Sequence, residues 1–442
     1  MKDRVIVGLV ALGSVVAMRT GAEEPRMDRS KLLVGTYYLH AQARDEAHVK
    51  AMKEAGIDFV FGIEAKDRPA LDLLQKYGIG CVATEVFPGW GGGNGSRAGQ
   101  LEKLHPMDEY VKAAKGFQDH PAIWMVDIGD EPSAWEFPYY ARLIPEIRRH
   151  LPKAVTPYLN LYPNYAQVAK NSDAQQKSQL GTTTYAEHIA QYSAKIPLDY
   201  LSYDFYVYSA RPKRQNAFYL KNFDNFKTVA DACRASGRSF WFIPQVNSLF
   251  PGVHMTPNRL RYQAYLAMAF GAEVINWACW MKGWWSNNVV NPDGTVNEYE
   301  YMILKMVNRE LHTLGSDYMR FRNTATHFVG FPSSVDLKSI GVSSVGQLTV
   351  AGVSNLRAKE GGELVVGEMS ARDGSNAKAL FVVSANDWRD AGVPERALVF
   401  KSANPVRVIR PSGATEVSPN ADGVCELEIA SSEAVLIVTR GE

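Results

Sequence analysis

Cysteine is scarce in this 442-residue chain. Cys81, Cys233, Cys279 and Cys425 are scattered without a C-x-x-C pair, which excludes a zinc ribbon and a dense disulfide framework and reads them as buried thiols. Charge of one sign is lacking too: 48 Lys plus Arg stand against 47 Asp plus Glu, leaving +1. That balance carries no electrostatic footprint for nucleic acid or an anionic membrane surface. Beyond the amino terminus no stretch approaches the ~20 consecutive apolar residues that a bilayer span needs, so the mature protein is expected to have none. HExxH, EF-hand and P-loop patterns are absent, so no metal or cofactor is expected. The Gly-rich segment Gly89-Trp90-Gly91-Gly92-Gly93-Asn94-Gly95 lacks the Lys and the following helix of a phosphate cradle, and reads as a mobile surface loop.

What is present is a chain with 46% hydrophobic and 11% aromatic residues, rich enough in apolar side chains to exclude disorder and too long for one core. At the amino terminus, Lys2 and Arg4 precede an apolar run from Val5 to Met18, with small residues at Val15 and Ala17 and a second cleavage option at Thr20 to Ala22. Residues 1–22 therefore read as a signal peptide, and the mature protein is expected outside the cytoplasm, periplasmic or extracellular.

Strand-like runs at Leu32–Leu39, Ile57–Ile63, Ile79–Thr84, Ala122–Ile128, Ala154–Leu161, Tyr200–Tyr206, Ser239–Pro244 and Glu273–Ala278 alternate with segments of helical period, and a helix over Tyr299–Leu314 closes the set. Eight such units predict an α/β fold, a (β/α)8 TIM barrel, over residues 30–322. The rival, a doubly wound sheet, wants a nucleotide fingerprint after its first strand, where Tyr37-Tyr38-Leu39-His40 has none. From about Phe328 short strand runs alternate with Gly, Asp, Asn and Pro turns, which predicts a small all-β sandwich over 328–442.

In such a barrel the chemistry sits at the carboxyl ends of the strands. Those ends offer Tyr37 and His40, Glu64, Glu85, then Asp127, Asp130 and Glu131, then Asn160 and Tyr162, then Asp204, Tyr206 and Tyr208, then Gln245 and Asn247, and finally Trp277, Trp280 and Lys282. Acids and amides bind hydroxyls and flat rings cover apolar faces, so a neutral polyhydroxy ligand suits this set. The stretch His120-Pro121-Ala122-Ile123-Trp124-Met125-Val126-Asp127-Ile128-Gly129-Asp130-Glu131-Pro132 resembles strand 4 of the glycoside hydrolases of clan A, in which a strand ending in Asn-Glu-Pro or Asp-Glu-Pro presents a general acid/base. The resemblance implies that Glu131 is that acid and that Asp130 binds sugar. The structural alternative is a helix N-cap made by Asp130 and Glu131 with Pro132 at the first helical position.

The pattern breaks on strand 7. Retaining members of the clan carry a nucleophilic Glu there, whereas Phe240-Trp241-Phe242-Ile243-Pro244 ends in Gln245, an amide that cannot attack an anomeric carbon. An inverting enzyme, a displaced nucleophile, or a barrel that has kept only sugar binding all remain open. Asp204 leads as second carboxylate, with Glu85 and Glu64 as alternatives. Asp130, Tyr206, Gln245, Asn160, Tyr37, Trp280 and Trp285 are expected to bind substrate, with Trp284 beside them and Trp90 and Trp135 as weaker candidates. Packing is expected for Trp241 and Trp277. The expected partner is a carbohydrate, and the reading is an exported glycoside hydrolase; the alternative is a non-catalytic carbohydrate-binding protein on a decayed barrel. No oligomeric state is specified.

Overall fold

Short runs rich in Val, Ile, Phe and Tyr build the strands, and the polar residues that follow them cap the helices. Asp45, Asp67, Thr184 and Thr256 each accept a backbone N–H in the first turn of the helix they precede, which satisfies one of its orphan donors. The computed structural model describes residues 25–92, 95–169, 178–209, 215–248, 253–281, 285–385 and 396–439. The expected leader over residues 1–22 lies outside them, as do Lys282 and Trp284.

The barrel strands are β1 (Leu33–Tyr37), β2 (Phe59–Glu64), β3 (Gly80–Thr84), β4 (Ile123–Asp130), β5 (Thr156–Asn160), β6 (Tyr200–Asp204), β7 (Ser239–Ile243) and β8 (Ala272–Ala278). They pair in parallel in the order β5-β4-β3-β2-β1-β8-β7-β6. Between β5 and β6 the sheet nearly closes through a single bridge, Leu161 to Tyr203, where Leu161 N–H donates to the Ser202 carbonyl at 2.9 Å. The fold is thus a (β/α)8 barrel. Trp241 stacks on Tyr200 with centroids 3.9 Å apart, and Trp277 Nε1 donates to Asn308 Oδ1 at 2.8 Å, so both indoles are packing groups. All four cysteines are buried thiols. No helix among the described residues is long and apolar enough to cross a membrane.

After the helix Glu298–Tyr318 come two further sheets. Strands β9 (Phe321–Val329), β10 (Ser344–Val345), β13 (Leu364–Ala371), β14 (Lys378–Ser384), β16 (Val406–Arg410), β17 (Gly413–Val417) and β19 (Ala434–Thr439) form one of seven strands, and β9 runs across the boundary drawn from the sequence. Strands β11 (Leu348–Val350), β12 (Val353–Ala358), β15 (Arg396–Ser402) and β18 (Val424–Ile429) form one of four. Side chains of both sheets, among them Leu380, Val382, Ile437, Phe400 and Leu427, share one apolar core, which makes the module a sandwich.

The central strands of the larger sheet, β14 and β19, are buried on both faces. On β14, Leu380 and Val382 enter the sandwich core, while Ala379, Phe381 and Val383 on the other face join the core of the barrel. That double burial explains the unbroken apolar runs Ala379–Val383 and Ala434–Ile437. Gly367 on β13 lies where a Cβ would come within 2.4 Å of the Ala269 carbonyl oxygen, at the end of the barrel helix Pro257–Ala269. Gly367→Val is therefore expected to destabilise the protein by about 1–3 kcal/mol or more, through overpacking where sheet meets barrel. Chemical denaturation measures this; a variant as stable as wild type would contradict the close docking.

Candidate active site

The carboxyl ends of the barrel strands open on a cavity of about 190 Å³. Tyr37 and Tyr38 from the end of β1, Asp130 and Glu131 from β4, Asn160 from β5, Tyr165 from the following loop, Asp204 and Tyr206 from β6, and Ile243, Ala278 and Cys279 line it. It therefore brings together Glu131, Asp204, Asp130, Asn160, Tyr206 and Tyr37. Tyr38, Tyr165 and Cys279 were not among the residues expected from the sequence, although they flank the same strand ends.

The backbone holding Asp130 and Glu131 is pinned from both sides. Asp130 N–H donates to the Trp90 carbonyl at 2.8 Å, Gly92 N–H donates to the Asp130 carbonyl at 3.0 Å, and Glu131 N–H donates to the Asn160 carbonyl at 2.9 Å. Glu131 itself sits at φ 49°, the left-handed region that costs an L residue of order 1 kcal/mol. A Cβ on Gly92 would fall 1.8 Å from the Glu131 carbonyl oxygen, so only glycine lets the two backbones meet. This corrects the surface-loop reading for Gly89 to Gly92: Trp90 is 4% exposed and the segment braces the end of β4. The N-cap alternative for Asp130 and Glu131 is corrected as well, because the next helix begins at Phe137.

A directional hydrogen-bond chain runs beneath the cavity. Ser202 Oγ donates to Asn160 Oδ1 at 3.0 Å, and an amide oxygen can only accept, so the single Ser202 proton is committed there. Tyr158 must then donate to Ser202 Oγ, 3.2 Å away, and Tyr37 to Tyr158, 2.8 Å away. With its oxygen satisfied, Asn160 turns its Nδ2 toward the acids and donates to Asp204 Oδ1 at 3.0 Å and Asp130 Oδ1 at 3.2 Å.

Asp204 also accepts from the Tyr206 hydroxyl, and Tyr165 lies 3.5 Å from its Oδ2. No donor among the described residues reaches the Glu131 carboxyl. Burial, followed by the Asp204 and Asp130 charges, holds Glu131 well above the usual carboxylate range. Burial and the Asp130 charge push Asp204 up to about 7, against the opposing donations from Asn160 and Tyr206. Three carboxyls around one small cavity cannot all ionise at modest cost, and the one without donors keeps its proton. Raised carboxyls carry a linkage: their burial costs little below about pH 4, and the cost grows as pH rises through about 7 for Asp204.

Other expected site residues fall elsewhere. Glu85, at φ 58°, points its half-exposed carboxyl to Lys66 at 2.5 Å, and Glu64 pairs with Arg44, which holds it below the usual carboxylate range against the opposing effect of burial. Neither lines the cavity, so both alternatives to Asp204 are corrected. Gln245 is 0% exposed, with Oε1 accepting from Tyr208 N–H at 2.8 Å and Nε2 donating to the Asn247 carbonyl at 2.8 Å. It ties loops together rather than meeting a ligand. Trp280 is likewise fully buried, edge-on to Tyr301, and Trp285 packs edge-on against Tyr206 at 4.4 Å as its support. Trp90 is buried under Arg97, and Trp135 is exposed away from the cavity lining. Among the described residues no cluster of His, Cys, Asp and Glu could hold a metal ion.

No family model matches the chain, and no curated protein sequence matches it. Its fold is similar to a catalytic mutant of a GH42 beta-galactosidase from G. stearothermophilus, with a TM-score of 0.55 at 10% identity over 94% of this chain and 99% of that one. A beta-galactosidase from Bacillus circulans sp. alkalophilus gives a TM-score of 0.55 at 10% identity, over 92% and 99%. At such identities the likeness concerns the fold, a glycosidase-type barrel with appended β structure.

Gln245→Ala removes the buried amide that accepts from the Tyr208 N–H and donates to the Asn247 carbonyl, and is expected to lower stability by about 2–4 kcal/mol. Denaturant titration checks it. A variant of wild-type stability would return Gln245 to the list of ligand-binding groups.

Proposed function

We propose that the protein is a glycoside hydrolase acting on a neutral carbohydrate, with Glu131 as general acid and Asp204 as the base that activates water. The observation that carries this reading is the unequal solvation of the carboxyls in one cavity: Asn160 and tyrosine hydroxyls donate to Asp204, while Glu131 has no donor among the described residues. Glycosidic cleavage needs one carboxyl that keeps a proton and one that has lost it, and environments that push two acids apart supply such a pair. Neutrality of the substrate is supported by the lining, which among the described residues contains tyrosines and acids but no Lys, Arg or His. The fold likeness to beta-galactosidases agrees with the reading without specifying a sugar.

In the proposed reaction Glu131 protonates the departing glycosidic oxygen as the bond to the anomeric carbon lengthens. Asp204 takes a proton from a water attacking the opposite face of the ring, so the product anomer is inverted. Asp130, beside Glu131 and sharing the Asn160 amide, is placed to bind a sugar hydroxyl and to favour the charge that develops on the ring. Tyr37 and Tyr38 offer ring faces and hydroxyls at the wall. Inversion is supported by the barrel's seventh strand, where Gln245 is buried and tied to backbone groups, and where among the described residues no carboxylate replaces it in the cavity. Export is proposed from the leader pattern of residues 1–22.

Glu131→Gln is expected to cut turnover by at least ~100-fold, as loss of a positioned general acid does, without lowering stability. A folded, fully active variant contradicts the assignment. Proton NMR of the first-formed product on a panel of natural glycans is expected to show the inverted anomer; the retained anomer would demand a covalent intermediate and a different role for Asp204 or Asp130.

A further inference from the structure

At the opposite, amino-terminal end of the barrel strands lies a second cavity, of about 320 Å³, between the barrel and the C-terminal module. Five arginines line it: Arg29 before β1, Arg234 and Arg238 before β7, Arg322 on β9 and Arg372 after β13. Their compensation is incomplete. Arg29 pairs with Asp199, Arg234 with Asp231, and Arg372 with Glu273. Among the described residues Arg238 has no carboxylate partner; one of its nitrogens donates to the Ser193 and Ile196 carbonyls at 2.8 and 2.9 Å. Arg322 is exposed, and among the described residues it makes no ion pair or side-chain hydrogen bond.

Among the described residues two guanidiniums are thus left without counter-charge in a cleft that collects five. Like charges gathered in a partly enclosed site repel one another and concentrate anions from solution. Guanidinium is also the side chain whose planar fork matches the oxygens of sulfate and phosphate. Asn323 adds a polar group held by Arg234, whose Nη1 donates to Asn323 Oδ1 at 2.5 Å. The cavity is about as large as the roughly 300 Å³ at which small-ligand sites begin. We propose that this cleft binds a doubly charged oxyanion, sulfate or phosphate, free or carried as an ester on a sugar, and that the anion ties the C-terminal module to the base of the barrel. Arg322 and Arg372 come from the module and Arg234 and Arg238 from the barrel, so a bound anion bridges the two. The inference is independent of the chemistry assigned to the mouth.

The test is thermal unfolding of the full chain in sodium sulfate and sodium phosphate against sodium chloride at matched ionic strength, for wild type and Arg322→Ala. Sulfate also stabilises proteins by exclusion from their surfaces, and that effect is common to both proteins, so the difference between them decides. Wild type is expected to gain a few degrees more than the variant. Equal gains, or none beyond chloride, overturn the proposal. Calorimetric titration with sodium sulfate, sodium phosphate, glucose 6-sulfate, glucose 6-phosphate and, as control, glucose separates the sources: tighter binding of an ester than of the free ion assigns a modified sugar, the reverse assigns the free anion, and loss of both on Arg322→Ala supports the site. Binding of the esters and of the free anions that is unaltered by Arg322→Ala contradicts it.

Discussion

A single amide nitrogen that serves two carboxylates is the constraint on which the mouth of this barrel depends. Asn160 donates to Asp204 and Asp130 while Ser202 holds its oxygen, and the Ser202 hydroxyl, its one proton committed there, accepts from Tyr158, which accepts in turn from Tyr37. An amide turned the other way would point its oxygen at two acids and favour their protonated forms. Four residues from β1, β5 and β6 therefore set the charge state of a cavity whose acids come from β4 and β6. The near closure of the sheet between β5 and β6 matters for this reason: it brings Asn160 and Asp204 onto adjoining strands.

Backbone geometry imposes a second condition. Glu131 occupies a strained left-handed conformation, and the strain persists because Gly92 and Asn160 hold the chain on either side. Released, the Glu131 side chain could turn toward solvent and lose the burial that keeps it protonated. The buried Gln245 serves the same end, fixing the loops after β6 and β7 so that Tyr206, backed by Trp285, stays against Asp204. Much of what surrounds the cavity is thus scaffold for the placement of three acids.

Strand count and order were legible in the sequence because eight apolar runs alternate with helical periods, and Glu131, Asp130, Asn160, Asp204, Tyr206 and Tyr37 were legible because they end those runs. Position along a strand says nothing, however, about what a side chain finds when it arrives. Glu64 and Glu85 end strands as Asp204 does, yet Arg44 and Lys66, distant in the alternation pattern, draw them away. Gln245 and Trp280 follow strand ends too, yet Tyr208 and Asn247 hold the one and Tyr301, on the helix Glu298–Tyr318, packs against the other. The role of Gly92 was hidden for a different reason: a glycine-rich run looks the same whether it is mobile or whether another backbone presses against it. The arginines of the lower cleft come from positions 29 to 372, and only the docking of the C-terminal sheet gathers them.

The central claim is that Glu131 holds the proton because Asn160 solvates the other two acids. Carbon-13 NMR of the side-chain carboxyls through a pH titration reads it directly, in wild type and in Asn160→Ala. The Glu131 signal is expected to deprotonate last in wild type, and removal of the amide to raise the midpoints assigned to Asp204 and Asp130. A wild-type titration in which Asp204 or Asp130 holds its proton beyond Glu131, or midpoints indifferent to Asn160, would contradict it.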